Sequence, residues 1–406
     1  MKDTWYKWEL LFWLWLAFFF NQADRQIFNV VLPLIKADLQ LTDAQLGLVA
    51  SLFVLVIGLC IPVAGVVGDR FNRKTILCVS LLVWSAATFV TGISTLLWHL
   101  IFLRSIAVGG GEAFYAPAAN ALLGDHHTKS RAVALSIHQT ALYAGVVLSG
   151  WLGAWLGERY GWKTTFYVFG GVGVGLAGLL MLRLRSAPAR ATGTLEVPDW
   201  RAGIRAFAAE PRAWLLTAAF AGMVLVNVGY LTWMPTFLHE QFRLSLTQAG
   251  FHSMFYHHLF AFFGVLLGGL GSDRLARRSA RGRLVLQACA LLLGVPFIWY
   301  MGQSTSLTGT YVALAAFGFC RGVYDANIYA TLFDVVAPAY RATSSGLMAM
   351  AAFLVGSLSP YLLGVMKPTW GLSGGLSSLS VAYLVAGICV AITWFISSSK
   401  KATTFV

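Results

Sequence analysis

The sequence predicts an all-α membrane protein with twelve transmembrane helices, built from two copies of a six-helix unit. Three observations predict this fold: the composition, the number of long apolar runs, and a motif that occurs once in each half. Of the 406 residues, 58% are hydrophobic and only 11% are charged, and the mean hydropathy is +0.71. A soluble domain is about 25% charged. Because so few charges cannot cover a water-facing surface, we expect lipid to surround most of the chain.

Twelve apolar runs reach the length of about 20 residues that a helix needs to span a bilayer. Their centres lie near Phe18, Val54, Trp84, Ile106, Tyr143, Val174, Leu225, Phe262, Leu293, Tyr324, Leu354 and Val385. Of the 29 Lys and Arg residues, 21 fall at the termini or in the connections after runs 2, 4, 6, 8 and 10. This is the positive-inside pattern, and it predicts that both termini are cytoplasmic. The net charge of +13 is therefore explained by topology and anionic lipid headgroups, and we expect no nucleic-acid partner.

The longest connection divides the chain into two halves. It runs from Arg183 to about Arg212 and is rich in Ala, Pro and charge. We predict an N-terminal six-helix bundle at 1–184, a cytoplasmic linker at 185–211 and a C-terminal six-helix bundle at 212–406. The linker segment RAGIRAFAAE partly segregates apolar and basic residues, which is typical of a short interfacial helix.

Both halves contain the motif G-x-x-x-D-R-x-x-R-[RK], each time directly after an even-numbered run. The first copy is GVVGDRFNRK, from Gly65 to Lys74, and the second is GLGSDRLARR, from Gly269 to Arg278. The two glycines, Gly65 and Gly269, predict sites where neighbouring helices approach closely. The motif acids can accept hydrogen bonds from an adjacent helix N-terminus or pair with arginine.

A second repeat aligns GGGEAFYAPAANALLGD, which begins at Gly109, with GFCRGVYDANIYATLFD, which begins at Gly318. The two stretches share the first glycine, a tyrosine, an alanine, a leucine and the final aspartate. Glu112 then lies opposite Arg321. Two facing copies of one unit would place an acid and a base at equivalent depths.

Six charged residues lie within the apolar runs: Asp24, Arg25, Arg104, Glu112, Arg321 and Asp325. An ionised side chain at mid-bilayer costs at least about 2.5–3.5 kcal/mol on insertion scales. We therefore expect these groups to face one another or a hydrated cavity. Arg321 and Asp325 are four residues apart, so they lie on one helix face and within reach of each other.

We interpret Asp24 and Glu112 as carriers of protons, because a change of solvation or of neighbouring charge alters the affinity of a carboxyl for a proton. The alternative is that they only neutralise Arg25 and Arg104 in permanent interhelix pairs. Arg321 offers a charged planar fork that matches a carboxylate. Arg321 and Asp325 are therefore both candidates for the substrate site, and the alternative is a purely structural pair between them.

Polar and aromatic side chains accompany these charges and are candidates to bind a substrate. They are Tyr115, His138, Gln139, Tyr143, Asn227, Tyr230, His257 and Tyr324. For each of them, core packing or a position at the lipid interface is an equally good explanation. His138 and His257 stand out because an imidazole titrates near neutral pH.

The doubled motif and the two halves resemble the major facilitator superfamily of secondary transporters over the whole chain. The resemblance implies two pseudo-symmetric six-helix bundles around a central cavity, with a substrate site near the bilayer midplane. It also implies that the doubled motif forms a conformational latch that does not bind substrate. The latch residues would be Gly65, Asp69, Arg70, Arg73, Asp273, Arg274 and Arg277. The alternative is that these residues only anchor the topology.

Two branches of the family are similar in the first and fourth runs: the bacterial anion:cation symporters and the Spinster-like transporters. Both carry an N-x-x-D-R element, represented here by Asn21 to Arg25, and an arginine followed by G-E-[AG], here Arg104 and Glu112. The spacing from Arg104 to Glu112 is eight residues here, where the resemblance leads us to expect about seven. In these branches the acids are linked to proton coupling and the arginines to anion contact or switching, so the resemblance adds Arg25 and Arg104 to the candidate substrate site.

We therefore expect a proton-coupled symporter of a small organic anion, such as a monocarboxylate or a sugar acid, that works as a monomer in the bacterial inner membrane. A Spinster-like transporter of a lysolipid, with a cavity open to lipid between helices 5 and 8, is the alternative. A membrane sensor that keeps the fold without transport is a third possibility, but such proteins typically add a soluble output domain, and we recognise none. We expect no cofactor and no bound metal, only protons as the coupling ion. The sequence shows neither a phosphate-binding loop nor a Ser/His/Asp nucleophile set, so we expect no enzyme.

Overall fold

A computed structural model describes residues 2–128, 130–185, 200–279 and 281–399, and all regular structure in these ranges is helical. The side chains of residues 2–4, 69–70, 132 and 398–399 lie outside the described part. The helices of the first half are α1 (Lys2–Val30), α2 (Leu32–Leu39), α3 (Asp43–Arg70), α4 (Arg73–Thr91), α5 (Leu97–Leu100), a π-helical segment (Ile101–Val108), α6 (Gly109–Ala113), α7 (Tyr115–His126), α8 (Arg131–Tyr160) and α9 (Trp162–Arg183).

The second half begins with the predicted linker helix. Its elements are α10 (Trp200–Ala208), α11 (Pro211–Phe242), α12 (Leu246–Arg278), α13 (Gly282–Gln303), α14 (Leu307–Asp325), α15 (Ile328–Val335), a 3-10 turn (Pro338–Tyr340), α16 (Arg341–Gly356) and α17 (Leu358–Ser399). The helical conformation of α17 is interrupted at Gly371, whose φ of 65° suits a glycine because it has no Cβ. This break separates the last two apolar runs.

Capping residues explain where several helices begin. Thr42 and Gln45 form a reciprocal capping box at the start of α3, which satisfies backbone N–H groups that have no partner within the helix. The side chain of Asn72 caps α4, and that of Ser306 caps α14. Helices that are apolar on most sides therefore still start at defined residues.

Eight helical segments of the described chain are long and apolar enough to cross a membrane. The last of them, Pro338–Ser397, contains two of the predicted runs. The three predicted runs outside this set lie in α1, in α5–α7 and in α14–α15. These are the helices that carry Asp24, Arg25, Arg104, Glu112, Arg321 and Asp325. In two of these three runs, α5–α7 and α14–α15, the helix is also interrupted or changes type.

The chain forms two compact units: Met1–Thr194 with Leu231–Met254, and Leu195–Tyr230 with Phe255–Val406. The predicted boundaries at residues 184 and 212 stay a prediction. In the first unit α1 packs along α8, and α4 packs along α9. A Cβ atom at Gly170 or Gly173 of α9 would collide with α4, so these glycines are contact surfaces between helices.

In the second unit α13 packs against α14 and α17, and α10 packs against α16. Gly203 of α10 faces Thr343 so closely that a Cβ atom would lie 3.0 Å from its methyl carbon. The prediction of a helix within RAGIRAFAAE is confirmed. Residues 186–199 of the predicted linker lie outside the described residues.

Candidate functional site

The first unit brings four of the six charged membrane residues into one cluster. Arg25 of α1 contacts Glu112 of α6, with 2.5 Å between Nε and Oε2. The Glu112 side chain is fully buried, and the Arg25 side chain is 30% exposed. The second carboxylate oxygen of Glu112, Oε1, is buried without a hydrogen-bond partner in the described chain. An interhelix pair of the kind that the sequence left open is therefore present, and one acceptor of its acid remains available.

Arg104 lies beside this pair, on the π-helical segment. Its Nη2 donates to the main-chain oxygen of Arg25 at 3.0 Å, and its guanidinium carbon stands 4.2 Å from the centre of the Phe53 ring. The residue is 3% exposed, and its Nε and Nη1 find no hydrogen-bond partner among the described residues. Arg104 therefore presents two unused donors from a buried position, held by a cation–π contact.

The π-helical segment accounts for the spacing between Arg104 and Glu112. In a regular α-helix eight residues would rotate the two side chains about 80° apart. A π-helical turn closes i→i+5 hydrogen bonds and so takes up one additional residue. Eight residues that include this turn span about the same rotation as seven residues of α-helix, so the extra residue does not move Arg104 away from the cluster.

Asp24 completes the cluster but has no ion-pair partner within it. The residue is 1% exposed, and neither carboxylate oxygen has a hydrogen-bond partner in the described chain. Glu112 and Arg104 are its charged neighbours, and Trp84 and Thr88 lie close by without the geometry of a hydrogen bond. An ionised carboxylate without donors costs several kcal/mol. Charge on Asp24 therefore requires water or a rearranged neighbour.

Tyr115 and His138 form a separate network in the same unit. The Tyr115 hydroxyl donates to the carbonyl oxygen of Leu14 at 2.6 Å and lies 3.1 Å from Nε2 of His138. Phe18 stacks on the His138 ring, with 4.7 Å between the ring centres. This network joins α1, α7 and α8. Of the other α8 candidates, Gln139 is exposed and Tyr143 is half-buried.

The second unit assembles its charges around Arg321 of α14. Arg321 lies 3.2 Å from Asp325, measured from Nε to Oδ2, so the predicted contact between these residues is confirmed. Its Nη1 lies 3.0 Å from Nε2 of His257 on α12. Asp325 keeps Oδ1 buried without a hydrogen-bond partner in the described chain. A cation, an acid and an imidazole thus form one row.

Glycines bring α12 and α14 close enough for this row to form. A Cβ atom at Gly318 would collide with the carbonyl oxygen of His257, and one at Gly322 with that of Ala261. On α12, Gly264 and Gly268 approach the α14 backbone equally closely. This is a small-xxx-small crossing. It holds His257 and Arg321 in contact because neither helix can move away without opening the seam.

Aromatic rings enclose the His257 side of this row. Tyr230 of α11 and Phe317 of α14 lie 4.6 and 4.7 Å from the His257 ring. Tyr383 of α17 packs edge-on against Phe317 at 5.6 Å, and its hydroxyl is buried without a hydrogen-bond partner among the described residues. Of the other candidates, Tyr324 is 2% exposed. The Oδ1 atom of Asn227 is buried and has no hydrogen-bond partner in the described chain.

The latch residues differ between the two motif copies. In the first copy α3 ends at Arg70 and α4 begins at Arg73, which pairs with Asp125 of α7. The second copy lies wholly inside α12. The arginine that pairs with Asp334 there is Arg283 of α13, which also lies 3.5 Å from Asp273.

The remaining predicted latch residues differ in exposure and in packing. Arg274 and Arg277 are exposed and make no ion pair within the described ranges. The side chains of Asp69 and Arg70 lie outside the described residues. The predicted close approach at the motif glycines is wrong, since a Cβ atom at Gly65 or Gly269 would meet nothing within 4 Å. On α12 the closely packed glycines are Gly264 and Gly268, on the side where that helix crosses α14.

Sequence reasoning missed Arg283, Tyr383, Phe53 and the crossing glycines of α12 and α14. The four-residue spacing of Gly264 with Gly268, and of Gly318 with Gly322, is a signal that could have indicated the crossing. Arg283 lies after the end of the second motif copy, so the motif alignment identified Arg277 in its place. Nothing in the sequence distinguishes Tyr383 or Phe53 from the other aromatic residues.

Outside the membrane runs, Asp38 at the end of α2 is held by α9. The Trp162 indole donates to Oδ2 of Asp38 at 2.9 Å, and Lys163 lies 3.5 Å from the same oxygen. The hydrogen bond from Trp162, followed by the charge of Lys163, lowers the pKa of the Asp38 carboxyl below its usual value. Asp38 therefore remains ionised at neutral pH and ties the two helix ends together.

Comparisons with known proteins match most of the chain. A family model described as Major Facilitator Superfamily matches residues 14–360. The chain is 26% identical over 399 residues to the membrane sensor protein UhpC of Salmonella typhimurium, covering 92% of this chain and 88% of the relative. It is 29% identical over 375 residues to protein spinster homolog 1 of Homo sapiens, covering 86% of this chain and 70% of the relative.

A solved structure has the same fold. It is the crystal structure of a bacterial homologue of the human lysosomal transporter Spinster, in an inward-facing and unoccupied conformation. It superposes with a TM-score of 0.80 at 24% identity and covers 97% of both chains. At this identity the similarity shows a shared fold and no more.

Proposed function

The chain belongs to the major facilitator superfamily, and from this membership we propose that it is a proton-coupled symporter of a small organic anion. The anion would be a monocarboxylate or a sugar acid, carried by alternating access. Membership in this family confirms the predicted twelve-helix membrane fold. The carrier class, a membrane transport protein for small molecules and not an enzyme, follows from the family. Proton coupling and the anionic substrate are the steps beyond it.

The observation that carries the proposal is the state of Asp24 beside the Arg25–Glu112 pair. Asp24 has two buried oxygens with no hydrogen-bond donor in the described chain, although Arg104 and Glu112 are its charged neighbours. A carboxyl in this position gains or loses a proton when water or a charge approaches it. A change of conformation would supply that difference, so the group would take up a proton on one side of the membrane and release it on the other.

Glu112 would act in series with Asp24. One of its oxygens binds Arg25, and the other has no partner within the described part of the chain. Protonation of Glu112 would weaken the ion pair and release the guanidinium of Arg25. Because the pair joins α1 to α6, such a protonation would change a contact between two helices.

Arginines would bind the anion. Arg104 has two unused donors, Nε and Nη1, with no partner among the described residues, and a guanidinium fork matches a carboxylate. Arg321 supplies a comparable cation in the second unit, where Asp325 already accounts for part of its charge. We propose lining groups for each unit by itself: Tyr115, His138, Gln139 and Tyr143 in the first unit, and Asn227, Tyr230, His257 and Tyr324 in the second.

Uptake by proteoliposomes tests the proposal. Labelled lactate and gluconate serve as probes, with and without an imposed inward proton gradient. We expect the gradient to accelerate uptake by the native protein. Glu112→Gln and Asp24→Asn should abolish this acceleration but retain some counterflow exchange. Asp38→Asn, which removes an acid at the end of α2, serves as the matched control and should keep the coupling. Uptake that ignores the gradient would refute proton coupling.

A cleft supports the Spinster-like alternative. Its volume is about 330 Å³, and it lies between α8 and the start of α12, lined mainly by apolar atoms of Trp151, Thr247, Gln248, Phe251 and His252. An opening between these two helices, the fifth and eighth apolar runs, is the feature expected of the lysolipid carrier. Uptake of lysophosphatidylcholine that Trp151→Ala impairs, together with no transport of either anion, would favour this function.

The remaining assignments follow from the same proposal. We infer a bacterial inner-membrane location with both termini in the cytoplasm, a monomer, and no cofactor other than the coupled proton. The similarity to a membrane sensor gives a further outcome for the test. A ligand that raises the thermal stability of the protein but is not transported would indicate sensing.

A further inference from the structure

The contact between His257 and Arg321 specifies the protonation state of the histidine. A guanidinium has donors and no acceptor, so the 3.0 Å contact between Nη1 and Nε2 is a hydrogen bond that Arg321 donates. Nε2 of His257 must then carry a lone pair. The imidazole is therefore the neutral tautomer, with its single proton on Nδ1.

Among the described residues, no acid contacts His257 that could compensate a second proton. The side chain is fully buried, and it faces Tyr230 from α11, His258 from its own helix, and Arg321 from α14. Asp325 is bound to the far side of Arg321 through Nε. From α17, Tyr383 reaches His257 only through Phe317.

A proton on Nε2 would reverse the chemistry of this contact. The acceptor would become a donor, and two cationic donors would lie next to each other in a buried place. Like charges at this separation repel strongly where water is scarce. A carboxylate that accepts one hydrogen bond from each donor would remove the repulsion and satisfy both groups.

We propose that His257 couples proton binding to anion binding at Arg321. A proton from water adds to Nε2, the hydrogen bond from Arg321 breaks, and both groups turn to one anionic ligand. By linkage the anion raises the proton affinity of His257 by the same factor as the proton raises the affinity for the anion. The inference deepens the proposed function and rests on its claim that the chain binds an organic anion.

Proton uptake on ligand binding tests the inference. Calorimetric titration of the purified protein with gluconate and lactate, in two buffers with different heats of ionisation, counts the protons taken up for each anion bound. We expect the affinity of the native protein to rise on acidification, with His257 contributing up to about tenfold for each pH unit, the limit for one linked proton.

His257→Gln is the test variant, because its amide oxygen can still accept the hydrogen bond from Arg321 but does not titrate. The anion should still bind, and the proton taken up by His257 should be missing. His258→Gln is the matched control and should retain it. Equal proton uptake by His257→Gln and the native protein would overturn the inference and leave the proposed symport intact.

A second measurement guards against a variant that fails to fold. In the double variant Asp24→Asn/Glu112→Gln, proton uptake that remains on anion binding must come from another group. We expect up to one proton to remain, and its absence would overturn the role of His257. If the native protein bound neither anion, or bound them without protons, the proposed function itself would fail.

Discussion

The two units handle their membrane charges in different ways. In the first, the ion pair joins two helices, α1 and α6, and a second acid, Asp24, has no partner in the described chain. In the second, the ion pair lies within one turn of α14, and the contact between helices runs from Arg321 to the neutral ring of His257.

This difference determines which contact in each cluster can break at the lower free-energy cost. Separating a buried pair of opposite charges exposes an uncompensated charge and costs several kcal/mol. A hydrogen bond from a guanidinium to a neutral imidazole contributes less, about 1.5–3 kcal/mol. Protonation of an acid is therefore suited to breaking the ion pair of the first cluster. In the second cluster, a ligand can replace His257 as the hydrogen-bond acceptor of Arg321.

The largest effect should come from breaking the Arg25–Glu112 pair. Arg25→Met leaves the carboxylate of Glu112 buried without its cation, and we expect a loss of stability of up to about 3–5 kcal/mol. Glu112→Gln should cost less because Arg25, at 30% exposure, can be hydrated. Thermal unfolding in detergent, followed by tryptophan fluorescence, measures both.

The double variant Arg25→Met/Glu112→Gln should be more stable than the sum of the single losses predicts. The matching change in the second unit, Asp325→Asn, should cost less than Arg25→Met, because Asp325 is 25% exposed whereas Glu112 is fully buried, and Arg321 keeps its hydrogen bond to His257. Equal losses in the two units would show that the clusters do not differ in this way.

A smaller effect should follow from opening the α12–α14 seam. Gly322→Ala places a Cβ atom against the carbonyl oxygen of Ala261, and overpacking of this kind costs about 1–3 kcal/mol. Gly269→Ala is the control, because a Cβ atom there meets nothing within 4 Å. A lower melting temperature for Gly322→Ala alone would show that the close α12–α14 crossing stabilises the fold. Equal behaviour of the two variants would contradict this.

The smallest effect should come from the charges at the helix ends. Arg283→Ala removes contacts to Asp273 and Asp334 that are partly exposed, and we expect a loss of about 0.5–1 kcal/mol. Arg277→Ala, which alters an exposed arginine of the predicted motif, should be neutral. If Arg277→Ala is the more damaging, the motif alignment describes the second copy better than the structure does.

Much of the fold follows from patterns that lipid imposes on any sequence. Each of the twelve predicted run centres lies in a helical segment, and the family match confirms the fold class. The breaks within those helices were not predictable in the same way. The π-helical segment has the composition of an ordinary apolar helix, and only the structure shows that it takes up one additional residue and places Arg104 against Phe53 and the α1 backbone.

The candidate site follows the same division. The six membrane charges were identified from their cost in lipid, and the contact between Arg321 and Asp325 follows from helical spacing alone. The partner of Glu112 did not follow, because a contact between α1 and α6 depends on how helices pack. Arg283 shows the same limit, since a motif in the sequence does not specify where a helix ends.

Apolar length and the placement of basic residues determined, from the sequence by itself, that the chain spans a membrane and which side chains lie at depth. Tertiary structure decided which of those side chains meet: Arg25 with Glu112, and Arg321 with His257. The physical reason is range. The free energy of transfer into lipid depends on each residue separately. A hydrogen bond of about 3 Å forms only when the relative position of two packed helices is accurate to a fraction of that distance.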